Sequence, residues 1–291
     1  MRYFVVSDIH SFATELKWSL GSAGFNKRSK DCTLIILGDI FDRGKETLAV
    51  YNYIKSIPKK RRILVRGNHE QLYLSLLEKK YPEGHDFSNR TVSTFVQIAG
   101  YSDAEYDFLA RNCSSIYGGC LSDSEIDPDA QALWDSIKTA VAEHEITTWL
   151  RSNEWVNYAE IDRYIFVHSF IPHSDDWRQA SAYEWQEATW GCPFRQYQQG
   201  FFNTEMDAGK CLVVGHWHTG DFFKTLSNKE LTTNECLLGT IWYGHNLIGL
   251  DGGTYRDYLG NYIHPQTVLI IDSTDFNTCY NQYKEKLSFE D

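Results

Sequence analysis

Leu34-Ile35-Ile36-Leu37-Gly38-Asp39-Ile40-Phe41-Asp42-Arg43-Gly44 changes character partway through. Four aliphatic residues in a row read as a strand buried on both faces, and the Gly, Asp and Arg that follow at once lie at its carboxyl end. Open α/β sheets build their sites along that edge. The same grammar recurs four times. Tyr3 to Val6 leads into Ser7-Asp8-Ile9-His10, and Ile63 to Val65 into Arg66-Gly67-Asn68-His69-Glu70. Tyr164 to Val167 leads into His168, and Leu212 to Val214 into Gly215-His216-Trp217-His218. Five such ends predict one crevice fed by distant parts of the chain.

Between the first three strands, apolar residues fall at helical spacing: Phe12, Leu16 and Leu20 behind a cap at Ser11; Leu48, Val50, Tyr51 and Ile54 stopping before Pro58; and Leu72, Leu76 and Leu77 from Glu70 onward. The order β-α-β-α-β-α predicts an α/β fold with a mainly parallel sheet. From 81 to 160 the chain turns to Tyr, Trp, Ser and acids, with helical spacing around Ala130 to Ala142 and Glu145 to Arg151. That stretch is expected to be a mostly helical insertion or cap within one domain spanning 1–291. Strand-like runs at 161–167, 211–214, 238–243, 247–250 and 267–272 supply a second sheet.

With 291 residues, 42% apolar and only 6 Pro, hydrophobic burial alone can hold the fold. No apolar run reaches the roughly 18 residues of a membrane span, which excludes a helical membrane protein. Seven Cys without a close CxxC pair, and an apolar strand in place of a basic leader, point to reduced thiols and the cytoplasm. A net charge of −11 argues against nucleic acid as a partner. The clusters Lys27-Arg28-Ser29-Lys30 and Lys59-Lys60-Arg61-Arg62 precede strands and so belong at the edge opposite the motifs. The acidic stretch 121–145 reads as a solvated face; overhanging the crevice, it would disfavour long polyanions. His85, His144, His173, His245 and His264 do not keep company with Asp8, Asp39 and Asn68 in these motifs and are read as surface or supporting residues, and Cys113 with Cys120 as packing.

Two divalent metals held side by side need oxygen and imidazole ligands, a carboxylate to bridge them and open positions for water and substrate. Asp8 and His10, one residue apart, can point the same way from an extended exit, and His216 and His218 repeat that spacing. Asp39 is the natural bridge, and Asn68, His168, His216 and His218 complete two coordination shells.

In order, Asp8-Ile9-His10, Gly38-Asp39-Ile40-Phe41-Asp42-Arg43-Gly44, Gly67-Asn68-His69-Glu70, His168 and Gly215-His216-Trp217-His218 resemble the motifs of the calcineurin-like metallophosphoesterases. The Gly-Asp-x-x-Asp-Arg-Gly and Gly-Asn-His-Glu pair is most similar to the branch of Ser/Thr phosphoprotein phosphatases, lambda-type phosphatase and symmetrical diadenosine tetraphosphatases. The resemblance implies two mixed β-sheets in a sandwich flanked by helices. It implies one metal on Asp8, His10, Asp39 and His218 and a second on Asp39, Asn68, His168 and His216. Manganese is the first expectation, and iron, zinc, nickel and cobalt accept the same ligands. A hydroxide bridging the metals would attack phosphorus in line.

His69 is expected as general acid, Asp42 as the carboxylate that accepts its other N–H, and Arg43 as a fork for two phosphate oxygens. Glu70 is assigned to structure. Two departures stand out. Ser11 replaces the Gly that commonly follows the first His, and the second phosphate-gripping Arg has three candidates, Arg178, Arg195 and Arg256. The expected activity is hydrolysis of a phosphomonoester on a protein or small molecule. The alternatives are a nucleotide pyrophosphohydrolase or phosphodiesterase on the same site, and a metal-binding scaffold without turnover.

Overall fold

Alternation along each strand assigns its side chains to one of three apolar layers. The computed structural model describes residues 1–113, 126–174, 176–198, 209–256 and 262–287. Its strands are β1 (Arg2–Val6), β2 (Cys32–Leu37), β3 (Arg62–Val65), β4 (Trp155–Val156), β5 (Ala159–Ile161), β6 (Tyr164–Phe166), β7 (Cys211–His218), β8 (Trp242–Tyr243), β9 (Leu247–Asp251), β10 (Tyr255–Arg256), β11 (Tyr262–Ile263), β12 (Leu269–Asp272), β13 (Asp275–Tyr280) and β14 (Lys286–Leu287). Seven form one sheet in the order β14-β13-β12-β1-β2-β3-β4, and five form a second in the order β5-β6-β7-β9-β8. β1 to β4 run parallel, as do β6, β7 and β9. The fold is therefore mixed α/β with two mixed sheets.

Val5, Ile35, Leu37, Val65, Leu269 and Ile271 of the larger sheet meet Tyr164, Phe166, Val213, Ile248 and Leu250 of the smaller one. Their neighbours in sequence point the other way. Phe4, Val6, Leu34, Ile36 and Leu64 face helices, and Ile165, Val167, Leu212 and Val214 pack on Phe170, Trp177, Trp185 and Phe222. Each such side chain contributes about 1.5–3 kcal/mol of transfer free energy by leaving water.

The helices over the larger sheet are α1 (Ala13–Ala23), α2 (Thr47–Lys55), α3 (Asn68–Glu78), α4 (Gly84–Ser88), α5 (Thr91–Ile98), α6 (Asp103–Cys113), α7 (Pro128–Glu143) and α8 (Glu145–Leu150). Within the stretch 81–160, α7 lays Trp134, Ile137 and Val141 into this layer, with Trp134 stacked 5.7 Å from Phe95 of α5. Of the acidic stretch, residues 121–125 lie outside the described residues, as does Cys120; Asp127 caps α7 by accepting from the N–H groups of Asp129 and Ala130. On the smaller sheet lie α9 (Ala182–Ala188), α10 (Pro193–Gln198) and α11 (Thr219–Leu226), and α12 (Thr233–Leu238) follows α11 in the chain. Among the described residues no helix is long and apolar enough to cross a membrane, and the described cysteines are free.

Four expectations change. The run 267–272 joins the larger sheet, where β12 pairs antiparallel with β1 and supplies its missing neighbour. The run 238–243 keeps strand character only at Trp242–Tyr243, because Thr232 and Glu235 form a capping box that starts α12, and Gly239 at φ 69° ends it. Ser11 caps nothing: α1 begins at Ala13, and the Ser11 hydroxyl hydrogen-bonds to Thr47 Oγ1 at 3.0 Å. α3 begins at Asn68, two residues before Glu70. Of the basic clusters, Arg62 is buried against Glu154 and donates to the Ile54 and Ile57 carbonyls at 2.7 and 2.6 Å.

Candidate metal centre

The crevice is built on backbone that ordinary residues avoid. Among the described residues, eleven non-glycine residues have positive φ, and seven of them are Asp8, His10, Ser11, Asp39, Asp42, Arg43 and His216. Such conformations cost of order 1–3 kcal/mol each and persist only where the surroundings over-determine them. The surroundings here are other motif loops. His10 N–H donates to Asp39 O (2.9 Å), Asp8 N–H to Gly38 O (3.1 Å) and Gly44 N–H to His10 O (2.8 Å). A Cβ on Gly67 would overlap the Asp39 carboxylate, and one on Gly215 the Asp8 carboxylate, so these glycines let two loops touch.

Glu70 fastens the second and third loops. Buried in the first turn of α3, its carboxylate accepts from the N–H groups of Gly67 (2.7 Å), Asp39 (2.9 Å) and Ile40 (2.9 Å). Burial, then the nearby Asp39 charge, raises its pKa in spite of these donors. Its role is structural, as the sequence suggested.

Asp39 is the hub. Its oxygens lie 3.9 Å from His10 Nε2, 3.7 Å from His69 Nε2 and 3.4 Å from His168 Nε2. Two His/Asp groups can each converge on one ion and share this residue: His10, Asp39 and His69, and Asp39, His168 and His216. Asn68 Oδ1 faces both His168 Nε2 (2.7 Å) and His216 Nδ1 (3.0 Å). Asp8 is buried beside them and accepts the His216 N–H at 2.9 Å. Burial pushes the Asp39 carboxyl upward, but His168, His69 and His216 outweigh it and hold the pKa below the ordinary value. Asp8 goes the other way: burial first, then Asp251 and Asp39, raise it well above the ordinary carboxylate range.

The donor set fits divalent cations. His10 Nδ1–H is committed to Phe41 O (2.9 Å), so its Nε2 carries a lone pair, and that atom is buried without a hydrogen-bond partner. His168 Nδ1–H is likewise committed to Leu37 O (2.6 Å), which leaves its Nε2 bare toward Asp39 and Asn68 oxygens. Fixing the far nitrogen on a carbonyl is how proteins orient metal-binding imidazoles. An orphaned lone pair, two buried carboxylates and acceptors facing acceptors are costly without a cation. A third cluster, Glu83, His85 and Asp86, is different: the Lys79 ammonium sits among them at 2.9, 2.8 and 2.9 Å.

His69 Nδ1 lies 2.6 Å from Asp42 Oδ2, and Asp42 is itself held by the hydroxyls of Thr91 (2.8 Å) and Thr94 (2.6 Å) on α5. Burial would lower the His69 pKa, yet Asp39 and the Asp42 hydrogen bond prevail and raise it. The Arg43 guanidinium is near enough that its charge helps to lower the pKa of buried His10.

His218 stands apart from both groups, with its side chain 43% exposed and Nε2 3.8 Å from Asp251 Oδ2. Of the candidate second arginines, Arg178 lies over the Trp177 ring at 4.1 Å and pairs with Glu160. The side chains of Arg195 in α10 and Arg256 in β10 lie outside the described residues.

Sequence reasoning missed several contributors. Asp251 is buried at the end of β9, beside His218 in register. A strand-like run followed by Asp251-Gly252-Gly253 repeats the grammar of the other five ends and could have marked it. His264 is buried, stacked 5.2 Å from Phe12 and edge-on to His10 at 5.8 Å, and no sequence signal singled it out. Thr91 and Thr94 carry no signal either, because hydroxyls on a helix usually meet water.

Comparison with known proteins places this geometry. The family model for calcineurin-like phosphoesterases matches residues 1–220. A symmetrical bis(5'-nucleosyl)-tetraphosphatase of Hamiltonella defensa is 35% identical over 88 residues, which is 29% of this chain and 31% of that protein. The corresponding protein of Legionella pneumophila strain Lens is 37% identical over 84 residues, 28% of this chain and 29% of its own length. The match thus spans under a third of these relatives. A mutant of a cold-active protein tyrosine phosphatase superposes with a TM-score of 0.50 at 15% identity, covering 99% of this chain and 80% of that one, and shows a shared fold.

Proposed function

The chain belongs to the calcineurin-like phosphoesterases, a family of hydrolases, and from that membership we propose divalent-metal-dependent hydrolysis at phosphorus in the crevice around Asp39. The observation that carries the reading is the pair of His/Asp groups sharing Asp39, with the buried lone pair of His10 Nε2 aimed at it. Asp8, His10, Asp39, Asn68, His168 and His216 would hold two cations, and His218 would join them by turning inward from Asp251. Cations bound there supply Lewis acidity and acidify water. Manganese leads the metals we would test, and iron, zinc, nickel and cobalt follow.

The protein's own groups do the rest. His69, its Nδ1–H held by Asp42, keeps a proton on Nε2 for the leaving oxygen as the P–O bond breaks. Asp42 in turn is fixed by two hydroxyl donors, which lock the ring in one orientation. Arg43 offers two parallel N–H groups to phosphoryl oxygens.

Two substrate classes follow. A phosphomonoester is the simplest substrate for one acid and one guanidinium fork. The named relatives favour a nucleotide phosphoanhydride, since each is called a symmetrical bis(5'-nucleosyl)-tetraphosphatase. We rank the anhydride first. The six described cysteines are free, which suits a reducing compartment such as the cytoplasm. Manganese-loaded protein assayed against diadenosine tetraphosphate, an aryl phosphate and a phosphopeptide tests the reading, with elemental analysis for the metal content. Absence of metal-dependent hydrolysis on all three, and on a cyclic nucleotide as the phosphodiester, would leave only the scaffold alternative.

A further inference from the structure

One large aromatic side chain stands exposed at the rim of this crevice. Trp190 is 47% exposed, and its ring meets His216 edge-on with centroids 5.9 Å apart. A singly exposed indole is ordinary on a protein surface, and it is the placement of this one against a candidate ligand that points to a binding role. Its mounting is rigid. Trp190 N–H donates to Glu187 O (3.0 Å) and Gly191 N–H to Ala188 O (3.0 Å). The Gly191 carbonyl accepts from Trp217 Nε1–H at 2.7 Å and from Ser169, the neighbour of His168. A Cβ at Gly191 would come within 2.8 Å of the Phe170 side chain. The turn carrying Trp190 is thereby keyed to His168 and His216 together.

The surroundings say what kind of group belongs there. Beside the same turn lies a hollow of about 230 Å³ lined by the apolar Phe170, Ile171 and Pro172 and by His173, Glu184 and Glu187. Glu184 is engaged in capping α9 by accepting from Ser181, and the negative charge of Glu184 and Glu187 would disfavour phosphate on this side and suit N–H donors. The cationic Arg43 lies on the second motif loop, close to His10 and His69. A substrate with a polyanionic end toward Arg43 and a planar, amine-bearing end toward Trp190 satisfies both flanks.

We propose that Trp190 is the stacking platform for the base of a nucleoside polyphosphate whose phosphorus is attacked at Asp39. This rests on the anhydride reading above and deepens it. Trp190 is a specificity residue that takes no part in bond making.

The test compares wild type, Trp190→Ala and Trp190→Phe, all manganese-loaded, on diadenosine tetraphosphate and on inorganic tripolyphosphate, which has the anhydride and no base. Base stacking of the usual strength makes KM for the dinucleotide rise about tenfold or more in W190A, with kcat nearly unchanged and tripolyphosphate kinetics unaffected. W190F recovers most of the loss, and calorimetric affinity for AMP falls in step. Equal changes on both substrates, or none on either, would overturn the platform while leaving the anhydride reading intact. Wild-type hydrolysis of neither anhydride would defeat that reading, and AMP affinity equal in wild type and W190A would then dispose of the platform separately. A W190A effect as large on a tyrosine phosphopeptide as on the dinucleotide would reassign the surface to aryl esters and overturn the nucleobase.

Discussion

His69 and His264 lie in one crevice and are tuned in opposite directions. His69 is pushed up by two carboxylates, which suits a proton donor near neutral pH. We predict that His69→Ala lowers kcat about 10²- to 10⁴-fold while metal content, read by elemental analysis, stays at the wild-type value. A parallel loss of metal would make His69 a ligand instead. His264 is held down to about 4, chiefly by burial, and His216 likewise to about 4. A folded-state pKa below the unfolded 6.5 means that the unfolded chain takes up protons first as the pH falls. In chelator-treated protein, stability should therefore decline between about pH 6.5 and pH 4, by on the order of 3 kcal/mol for His264 alone. His264→Gln should flatten part of that decline in denaturant titrations across the range, and an unchanged slope would exclude His264 as its source.

At the level of loops, helices and strands, the site depends on close approach. Replacing Gly215, within β7, by Ala would drive a methyl into the Asp8 carboxylate and the Ser7 side chain. Gly215→Ala is expected to weaken metal binding at least tenfold by calorimetry and to lower the melting temperature. Glu70→Ala would leave three buried N–H groups without their acceptor, each costing roughly 1–3 kcal/mol. A melting shift of only a degree or two would mean that other groups satisfy them. Much of this layout is legible in the chain, because a run of aliphatic residues ending in Asp, Asn or His states both a strand and the edge where its chemistry sits. The five strand ends read that way all lie in or beside the crevice. What is not legible depends on distant partners. Ser11 turned to Thr47 because α2 lies alongside, and the run 267–272 joined the larger sheet because β1 lacked a neighbour. Asp251 was passed over although its strand ends in the same pattern.

For the molecule as a whole, the decisive feature is that the two sheets share the site. Asp8, His10, Asp39 and Asn68 follow strands of the larger sheet, and His168 and His216 belong to the smaller one. Cations gripped by both should favour the folded chain by mass action, by roughly 4 kcal/mol at a thousand times the dissociation constant. Differential scanning calorimetry should show a melting temperature that rises with manganese and falls with EDTA, and equal values would disconnect the ions from the sandwich. This shared custody also sets a tolerance. The apolar face between the sheets fixes their relative offset, and a slide of one sheet past the other by a single residue step would carry three imidazoles, two carboxylates and an amide out of common reach. Selection for catalysis would then act deep in the interior, policing Val5, Ile35 and Val213 as strictly as any group that meets substrate.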